Sequence, residues 1–253
     1  MSEPDRAAFR LDAVLLFRVH IVRIIIMMKS LVVGVTGRRR IVPESLPQIE
    51  RSTRIFMENL GQCAYQSVVV CSGMAIGADT LAARAVLAEK ERAPETKLRL
   101  RAVLPMPLAL YLDDFKREEQ AELRAILERC DEVVELPCNV DESGATDRAA
   151  QYEKLRDYLV AESDVLLAYW SGNSSVVKKG GTVDVVLSKA QKLMAGQSGA
   201  IFCIATPELL RFKNCDGVKT YVPEELPEPG RCSLSLFGDA EKLLSPETFL
   251  PRN

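Results

Sequence analysis

Short apolar runs rich in β-branched residues alternate with longer segments of helical periodicity, and this alternation constrains the fold more than any other feature of the chain. Six runs are predicted as strands: Leu31–Thr36, Val68–Cys71, Leu100–Leu104, Glu132–Leu136, Val165–Tyr169 and Ala200–Ala205. Five intervening segments are predicted as helices: Glu44–Leu60, Gly77–Lys90, Asp113–Cys130, Arg148–Ala161 and Gly181–Met194. Continuous apolar runs are typical of strands buried on both faces. The sequence therefore predicts an α/β fold, a Rossmann-like parallel sheet with helices on both faces.

The flanks of this core differ from it in composition. A length of 253 residues fits one domain over 31–205, with an N-terminal extension over 1–30 and an irregular, proline-containing arm over 206–253. The run Ala13–Met28 is apolar, but it is shorter than the roughly 20 residues that span a bilayer, and two arginines and a histidine interrupt it. We therefore expect no membrane segment. Seven scattered cysteines without a C-x-x-C pair indicate a reduced, cytoplasmic protein.

The charge and histidine content exclude several classes of function. Lys and Arg total 33 and Asp and Glu total 35, so a net charge of -2 gives no general attraction to nucleic acid or to an anionic membrane. His20 is the only histidine, and it lies in an apolar stretch far from the glycine motifs. Ser-His-Asp catalysis, Cys-His catalysis and histidine-based zinc sites are therefore discounted, and no metal site is expected.

The residues that follow the strands carry the candidate chemistry, because open parallel sheets bind ligands beyond the carboxyl ends of their strands. After the first strand, Gly34, Thr36 and Gly37 allow close approach of the backbone to a ligand, and Arg38 begins a run of three arginines. A bound phosphate suits both features. A tight turn followed by solvated arginines explains them equally well.

The turn after the second strand is the most specific signal. It contains Ser72, Gly73, Met74 and Gly77 and leads directly into a helix whose amides are expected to face an anion. Asp79 has two interpretations, a helix cap or a ligand of a ribose hydroxyl, and capping is preferred because a carboxylate repels phosphate.

Two further strand ends complete the predicted site. Pro105 belongs to a rigid wall after the third strand, where Tyr111 either stacks on a base or packs on Phe115 as a hydrophobic staple. After the fifth strand, the predicted ligand-binding residues are Trp170, Gly172, Lys179, Gly180, Gly181 and Thr182. A glycine pair at a helix N-terminus, preceded by lysines, is a second anion cradle, and Trp170 is either a base contact or a core anchor.

Together these motifs resemble the superfamily that includes the SMF/DprA and Lonely Guy proteins, over roughly 31–205. The segment from Gly34 to Arg38 stands where DprA-like members carry G-S-R, and Ser72 to Asp79 is similar to their S-G-x-A-x-G-x-D stretch. The resemblance implies a Rossmann-like nucleotide-binding domain and a homodimer. The V-G-V-T-G-R start and the segment from Ser163 to Gly172 look most like a bacterial sensor branch, which implies an NAD or ADP-ribose type of ligand.

Two other branches supply the alternative functions. Lonely Guy enzymes hydrolyse nucleoside 5'-monophosphates at the N-glycosidic bond and carry P-G-G-x-G-T-x-x-E. Here Val185 takes the glutamate position, so Asp184, the nearest acid, is the candidate catalytic residue. DprA-like members bind single-stranded DNA, which ranks third because no second basic cluster as dense as the arginine run follows it in the sequence. No cofactor beyond a nucleotide ligand is expected.

Overall fold

The computed structural model describes residues 30–63, 65–141, 145–171 and 177–206, together with the backbone of 210–214, 217–221 and 232–235. The strands are β1 Ser30–Gly37, β2 Ser67–Ser72, β3 Leu98–Leu104, β4 Glu132–Glu135, β5 Val165–Trp170, β6 Ala200–Ala205, β7 Leu210–Asn214, β8 Gly217–Tyr221 and β9 Cys232–Ser235. The helices are α1 Leu46–Gly61, α2 Ala78–Arg92, α3 Leu108–Tyr111, α4 Arg117–Leu127, α5 Arg148–Glu162 and α6 Thr182–Met194, with short 3-10 helices at Pro43–Ser45 and Leu112–Asp114.

The main sheet has the order β4-β3-β2-β1-β5-β6-β9, in which the first six strands are parallel. The predicted α/β class is confirmed. The chain builds outward from β1 to β4 and then returns to the other side of β1 with β5. The strand order therefore reverses between β1 and β5, and open α/β sheets bind ligands at such a reversal.

Helices cover both faces of the sheet, as the alternation along β5 shows. Val165, Leu167 and Tyr169 belong to the core cluster that contains the buried residues of α1, α2 and α4. Leu166 and Ala168 belong to a cluster on the opposite face, with residues of α5 and α6. The five side chains of 165–169 are inaccessible to solvent, which explains the unbroken apolar run in the sequence.

The region after the domain differs from the prediction of an irregular arm. β7 and β8 pair with each other, and β9 pairs antiparallel with β6 as the seventh strand of the main sheet. The predicted strands were continuous apolar runs, which mark strands buried on both faces. The segments at 210–214 and 232–235 instead alternate apolar and polar residues, a pattern typical of antiparallel strands.

The N-terminal extension, apart from Ser30, lies outside the described residues. Within the residues that are described, no helix is both long enough and apolar enough to cross a membrane.

Candidate functional site

A cleft of about 610 Å³ lies at the carboxyl ends of the central strands, where the strand order reverses. Its walls are the arginine loop (Arg38–Arg40) after β1, the start of α2, one side of α5, and the lysine–glycine turn (Lys178–Gly181) that precedes α6. Seven basic residues line it: Arg38, Arg39, Arg40, Arg148, Arg156, Lys178 and Lys179. Of the residues that the structure describes, only two acidic ones, Asp79 and Asp114, line the cleft. We refer to it as the basic cleft.

Helix α5 supplies one long wall of the basic cleft. Arg148, Tyr152 and Arg156 are spaced by four residues, which places them on one face of the helix. The guanidinium of Arg148 donates to Asp114 Oδ1 at 2.7 Å. The Tyr152 hydroxyl donates to Asp114 Oδ2 at 2.5 Å and accepts from Arg39 Nη2 at 2.5 Å. These bonds tie α5 to the arginine loop and to the 3-10 helix at Leu112–Asp114.

Burial perturbs the acid–base properties of two groups that face the cleft. Burial raises the pKa of Asp79 to about 7, against the opposing effects of the Ala75 N–H and the Arg39 charge. Burial, and then the hydrogen bond to Asp114, raise the pKa of Tyr152 to about 12. Asp79 is therefore the cleft residue whose charge changes near neutral pH.

The N-terminus of α2 is closed by the protein's own backbone. The Ala78 N–H donates to the Arg38 carbonyl at 3.0 Å, and the Thr80 N–H donates to the Ala75 carbonyl at 3.2 Å. The prediction that the amides of this helix face an anion therefore fails for Ala78 and Thr80. The Asp79 carboxylate accepts from the Ala75 N–H at 3.3 Å, a bond within the turn rather than the helix cap that was preferred, and Asp79 still lines the cleft.

The glycines of this turn serve packing between the two loops. Gly77 has a φ of +90°, and a Cβ there would lie 2.5 Å from the carbonyl oxygens of both Arg38 and Arg39. A Cβ on Gly73 would lie 2.8 Å from Leu155 Cδ2 of α5. At Gly77 only glycine fits, because the φ is positive and the contacting atoms belong to the backbone, whereas at Gly73 the contacting atom is the end of a flexible side chain.

The lysine–glycine turn is held against α5 by Asp184. The Asp184 carboxylate accepts from Arg156 Nη1 at 2.7 Å and from the Gly180 N–H at 2.8 Å. Gly180 has a φ of +67°, and a Cβ there would lie 2.7 Å from the backbone of Tyr152. Asp184, the candidate catalytic residue, therefore uses its carboxylate in an ion pair and in holding the turn.

The structure brings only part of the predicted site together. Eight predicted residues line the basic cleft: Thr36, Gly37, Arg38, Asp79, Lys179, Gly180, Gly181 and Thr182. Seven others lie near the same ends of the strands without lining it: Gly34, Ser72, Gly73, Met74, Gly77, Pro105 and Trp170. Gly172 lies outside the described residues.

Ser72, Met74 and Trp170, which do not line the cleft, have identifiable packing roles, as does Tyr111. Ser72 Oγ accepts from the Met74 N–H at 3.2 Å, and both residues are fully buried. Trp170 packs against the core cluster of α5 and α6, which is the core-anchor interpretation. Tyr111 packs edge-on against Phe115 with ring centroids 4.8 Å apart, and it also reaches the cleft.

Sequence reasoning missed the wall formed by α5 and by Asp114. The four-residue spacing of Arg148, Tyr152 and Arg156 was the available signal for the helix. Nothing in the local sequence places Asp114 near Arg148, because their contact spans 34 residues. In the described part of the chain, no group of three or more His, Cys, Asp or Glu side chains is arranged to hold a metal ion.

Comparison with known proteins returned solved structures only. No family model and no curated protein matches the sequence. DNA processing protein A from Streptococcus pneumoniae is similar at 16% identity and a TM-score of 0.44, covering 72% of this chain and 53% of that chain. DNA processing protein A from Helicobacter pylori, described for its single-stranded DNA binding mode, has 18% identity and a TM-score of 0.41, covering 71% and 66%. The protein TM1055 has 16% identity and a TM-score of 0.34, covering 68% and 77%.

Proposed function

We propose that this chain binds a phosphate-bearing nucleotide, or a nucleotide-derived signal of the NAD or ADP-ribose type, in the basic cleft and works as a sensor domain. The observation that carries the proposal is the concentration of seven basic residues in one cleft of a chain whose net charge is -2. Arginine and lysine side chains recognise phosphate through charge-assisted hydrogen bonds. The homodimer implied by the resemblance is part of the proposal, and light scattering at micromolar concentration tests it.

The size and place of the cleft support a small-molecule ligand. Its volume of about 610 Å³ is within the roughly 300–1,000 Å³ that is usual for ligand sites. Its position at the reversal of strand order is the place where doubly wound sheets bind nucleotides. The close packing at Gly37, Gly77 and Gly180 fixes the loops that form its rim.

The state of Asp184 favours binding over hydrolysis. A carboxylate that assists cleavage of a glycosidic bond must reach the reacting atoms or the attacking water. Asp184 is paired with Arg156 and with the Gly180 N–H instead. Asp114, a carboxylate that lines the cleft, is likewise held by Arg148 and Tyr152.

A thermal-shift panel followed by calorimetry tests the proposal. The ligands are NAD, ADP-ribose, cyclic ADP-ribose, AMP and a short oligonucleotide, and a ligand at 100 times its Kd is expected to stabilise the fold by about 2.7 kcal/mol. Arg38→Ala removes a cleft cation and is expected to weaken binding about tenfold to a hundredfold. Arg51→Ala, an exposed arginine of α1 outside the cleft, is the matched control.

Three outcomes contradict the proposal. No stabilisation by any nucleotide removes the binding function. Release of adenine from AMP at an appreciable rate makes the protein a hydrolase. Binding of the oligonucleotide alone moves the function to single-stranded DNA.

A further inference from the structure

Asp79 is buried at the basic cleft without the partners that the other cleft carboxylate has. Asp114 accepts hydrogen bonds from Arg148 and from the Tyr152 hydroxyl. Asp79 is only 7% exposed, and its carboxylate accepts one hydrogen bond, from the Ala75 N–H to Oδ2 at 3.3 Å. It forms no ion pair with any residue that the structure describes. Burial of a carboxylate that lacks a bonded cation disfavours its charged form.

The two oxygens of the Asp79 carboxyl have different surroundings. Oδ2 lies on the side of the β2 turn, where it accepts from the Ala75 N–H and would lie 3.1 Å from a Cβ on Gly73. Oδ1 has no hydrogen-bond donor in the described part of the chain, and it is not completely enclosed by protein. Because Asp79 lines the cleft, Oδ1 is open to a ligand there. An ionised carboxyl only accepts hydrogen bonds, whereas a protonated one also donates.

The other elements of the cleft surround Asp79 with charged and titratable groups. The arginine loop, α3, the 3-10 helix at Leu112–Asp114, α5 and the lysine–glycine turn contribute Arg38, Arg39, Arg40, Tyr111, Asp114, Arg148, Tyr152, Arg156, Lys178 and Lys179. The Arg39 charge favours ionised Asp79 but does not outweigh burial, so the pKa of Asp79 rises to about 7. Arg39 Nη2 also donates to the Tyr152 hydroxyl. Arg39 is therefore shared between Tyr152 and the field at Asp79.

An anionic ligand in this cleft changes three influences on Asp79 in the same direction. It displaces the water that contacts Oδ1, it adds negative charge, and it competes for the charge of Arg39. Each of these changes favours the neutral carboxyl. We infer that the ligand binds with Asp79 protonated, so that binding takes up a proton and the neutral carboxyl donates its O–H to an acceptor of the ligand. The inference rests on the proposed function, to which it adds regulation by pH.

The coupling between proton and ligand sets the direction of the pH dependence, because each raises the affinity of the protein for the other. With a pKa of about 7 in the free protein, most Asp79 is protonated at about pH 6 and about a tenth at about pH 8. Apparent affinity falls with the fraction of protein in the competent form. We therefore expect binding about fivefold to tenfold weaker at pH 8 than at pH 6, with uptake of roughly 0.4 to 0.9 proton at pH 8.

Calorimetry with ADP-ribose at both pH values, each in two buffers of different ionisation enthalpy, measures the affinity and the number of protons taken up. ADP-ribose is chosen because both of its phosphates lie within the pyrophosphate linkage, whereas a terminal phosphate itself titrates near pH 6. We expect Asp79→Asn to take up no proton and to bind equally well at both pH values. His20→Gln removes the only histidine of the chain, the side chain that usually titrates near neutral pH. As the matched control, it is expected to keep the proton uptake.

The outcomes separate the inference from the function on which it rests. Binding of ADP-ribose without proton uptake at pH 8 overturns the inference, and this measurement needs only the unmodified protein. Uptake that persists in Asp79→Asn, or that disappears in His20→Gln, places the proton elsewhere and also overturns it. If ADP-ribose binds at neither pH, the ligand class of the proposed function is wrong, and the inference falls with it.

Discussion

Gly37 shows how a single residue sets the packing distance between β1 and α2 at the cleft. The sequence motif suggested that small residues here let the backbone approach a ligand. The structure gives Gly37 a further role, because a Cβ there would lie 2.3 Å from Ala78 Cβ and 2.8 Å from Tyr169 Cβ. The glycine lets the end of β1 pack directly against the first turn of α2. Sequence alone could not show this, since Ala78 and Tyr169 come from other elements.

We expect Gly37→Ala to lower the free energy of unfolding by about 3 kcal/mol, because both contacting atoms are fixed near backbone. Chemical denaturation measures the change. Gly196→Ala is the matched control, since Gly196 has a φ of +91° and no atom within 4 Å of an added Cβ. Its cost is limited to backbone strain of about 1 kcal/mol. Equal effects at the two glycines would mean that the packing at Gly37 relaxes easily.

Asp79 gives the fold a specific dependence on pH. Its pKa is about 7 in the folded protein and about 3.9 in an unfolded chain. Between these values the folded state keeps a proton that the unfolded state releases. The Asp79 contribution to stability is therefore fully present below about pH 4, falls as pH rises to about 7, and is constant above that.

The variant Asp79→Asn removes this titration while it keeps an acceptor for the Ala75 N–H. We expect it to be more stable than the unmodified protein at about pH 8, by an amount on the order of a few kcal/mol, and to lose that advantage below about pH 4. Urea unfolding across this pH range measures the difference. Parallel pH profiles for the two proteins would show that Asp79 titrates normally in the folded state.

At the scale of elements, the strands and most helices could be predicted from the sequence because their patterns are local. The start of α4 could not be predicted in this way. Asp113 and Asp114 were predicted to begin that helix, but they lie in a 3-10 helix and α4 begins at Arg117. The Lys116 N–H donates to Glu119 Oε2 at 2.7 Å, which fixes the later start. Asp114 instead accepts a hydrogen bond from Arg148, which is distant in sequence, and this contact places Asp114 in the cleft.

The pairing of α5 with α6 depends on Asp184, and its loss is a test at this scale. We expect Asp184→Asn to lower the free energy of unfolding by about 1–2 kcal/mol, because it weakens the bond from Arg156 and removes a carboxylate from the first turn of α6. Nucleotide affinity is expected to stay the same or improve slightly, since a negative charge near phosphate is removed. Denaturation and calorimetry on the same sample measure the two quantities.

Asp157→Asn is the matched control for this prediction. Asp157 also contacts Arg156, at 2.9 Å, but its side chain is 68% exposed, against 16% for Asp184. Exposed ion pairs contribute little, so its effect is expected to stay within about 0.5 kcal/mol. A loss of nucleotide affinity in Asp184→Asn with unchanged stability would contradict the structural role.

At the scale of the whole molecule, the sequence identified which loops meet but not which side chains face the cleft. Parallel strands bring their carboxyl ends to one edge, so the loops after β1, β2, β3 and β5 had to be neighbours. The direction of each side chain depends on packing between those loops. Ser72 and Pro105 are buried for that reason, while Arg156 and Tyr152 turn toward the cleft.

The contrast between the basic cleft and the net charge of the molecule predicts how salt affects binding. Counterion release for a single strand gives a slope of about -0.7 per neutralised phosphate in a plot of log affinity against log salt. ADP-ribose has two phosphate charges, so raising salt from about 50 to 200 mM is expected to weaken it by no more than about sevenfold. Binding of a strand that places five phosphates on the seven cleft cations would weaken by about a hundredfold.

Titrations of ADP-ribose and of an oligothymidine at both salt concentrations measure these slopes. A net charge of -2 gives no general attraction for a strand beyond the cleft, so we expect the oligothymidine to bind more weakly than ADP-ribose at both concentrations. Tighter oligothymidine binding with the steeper slope would contradict a nucleotide sensor.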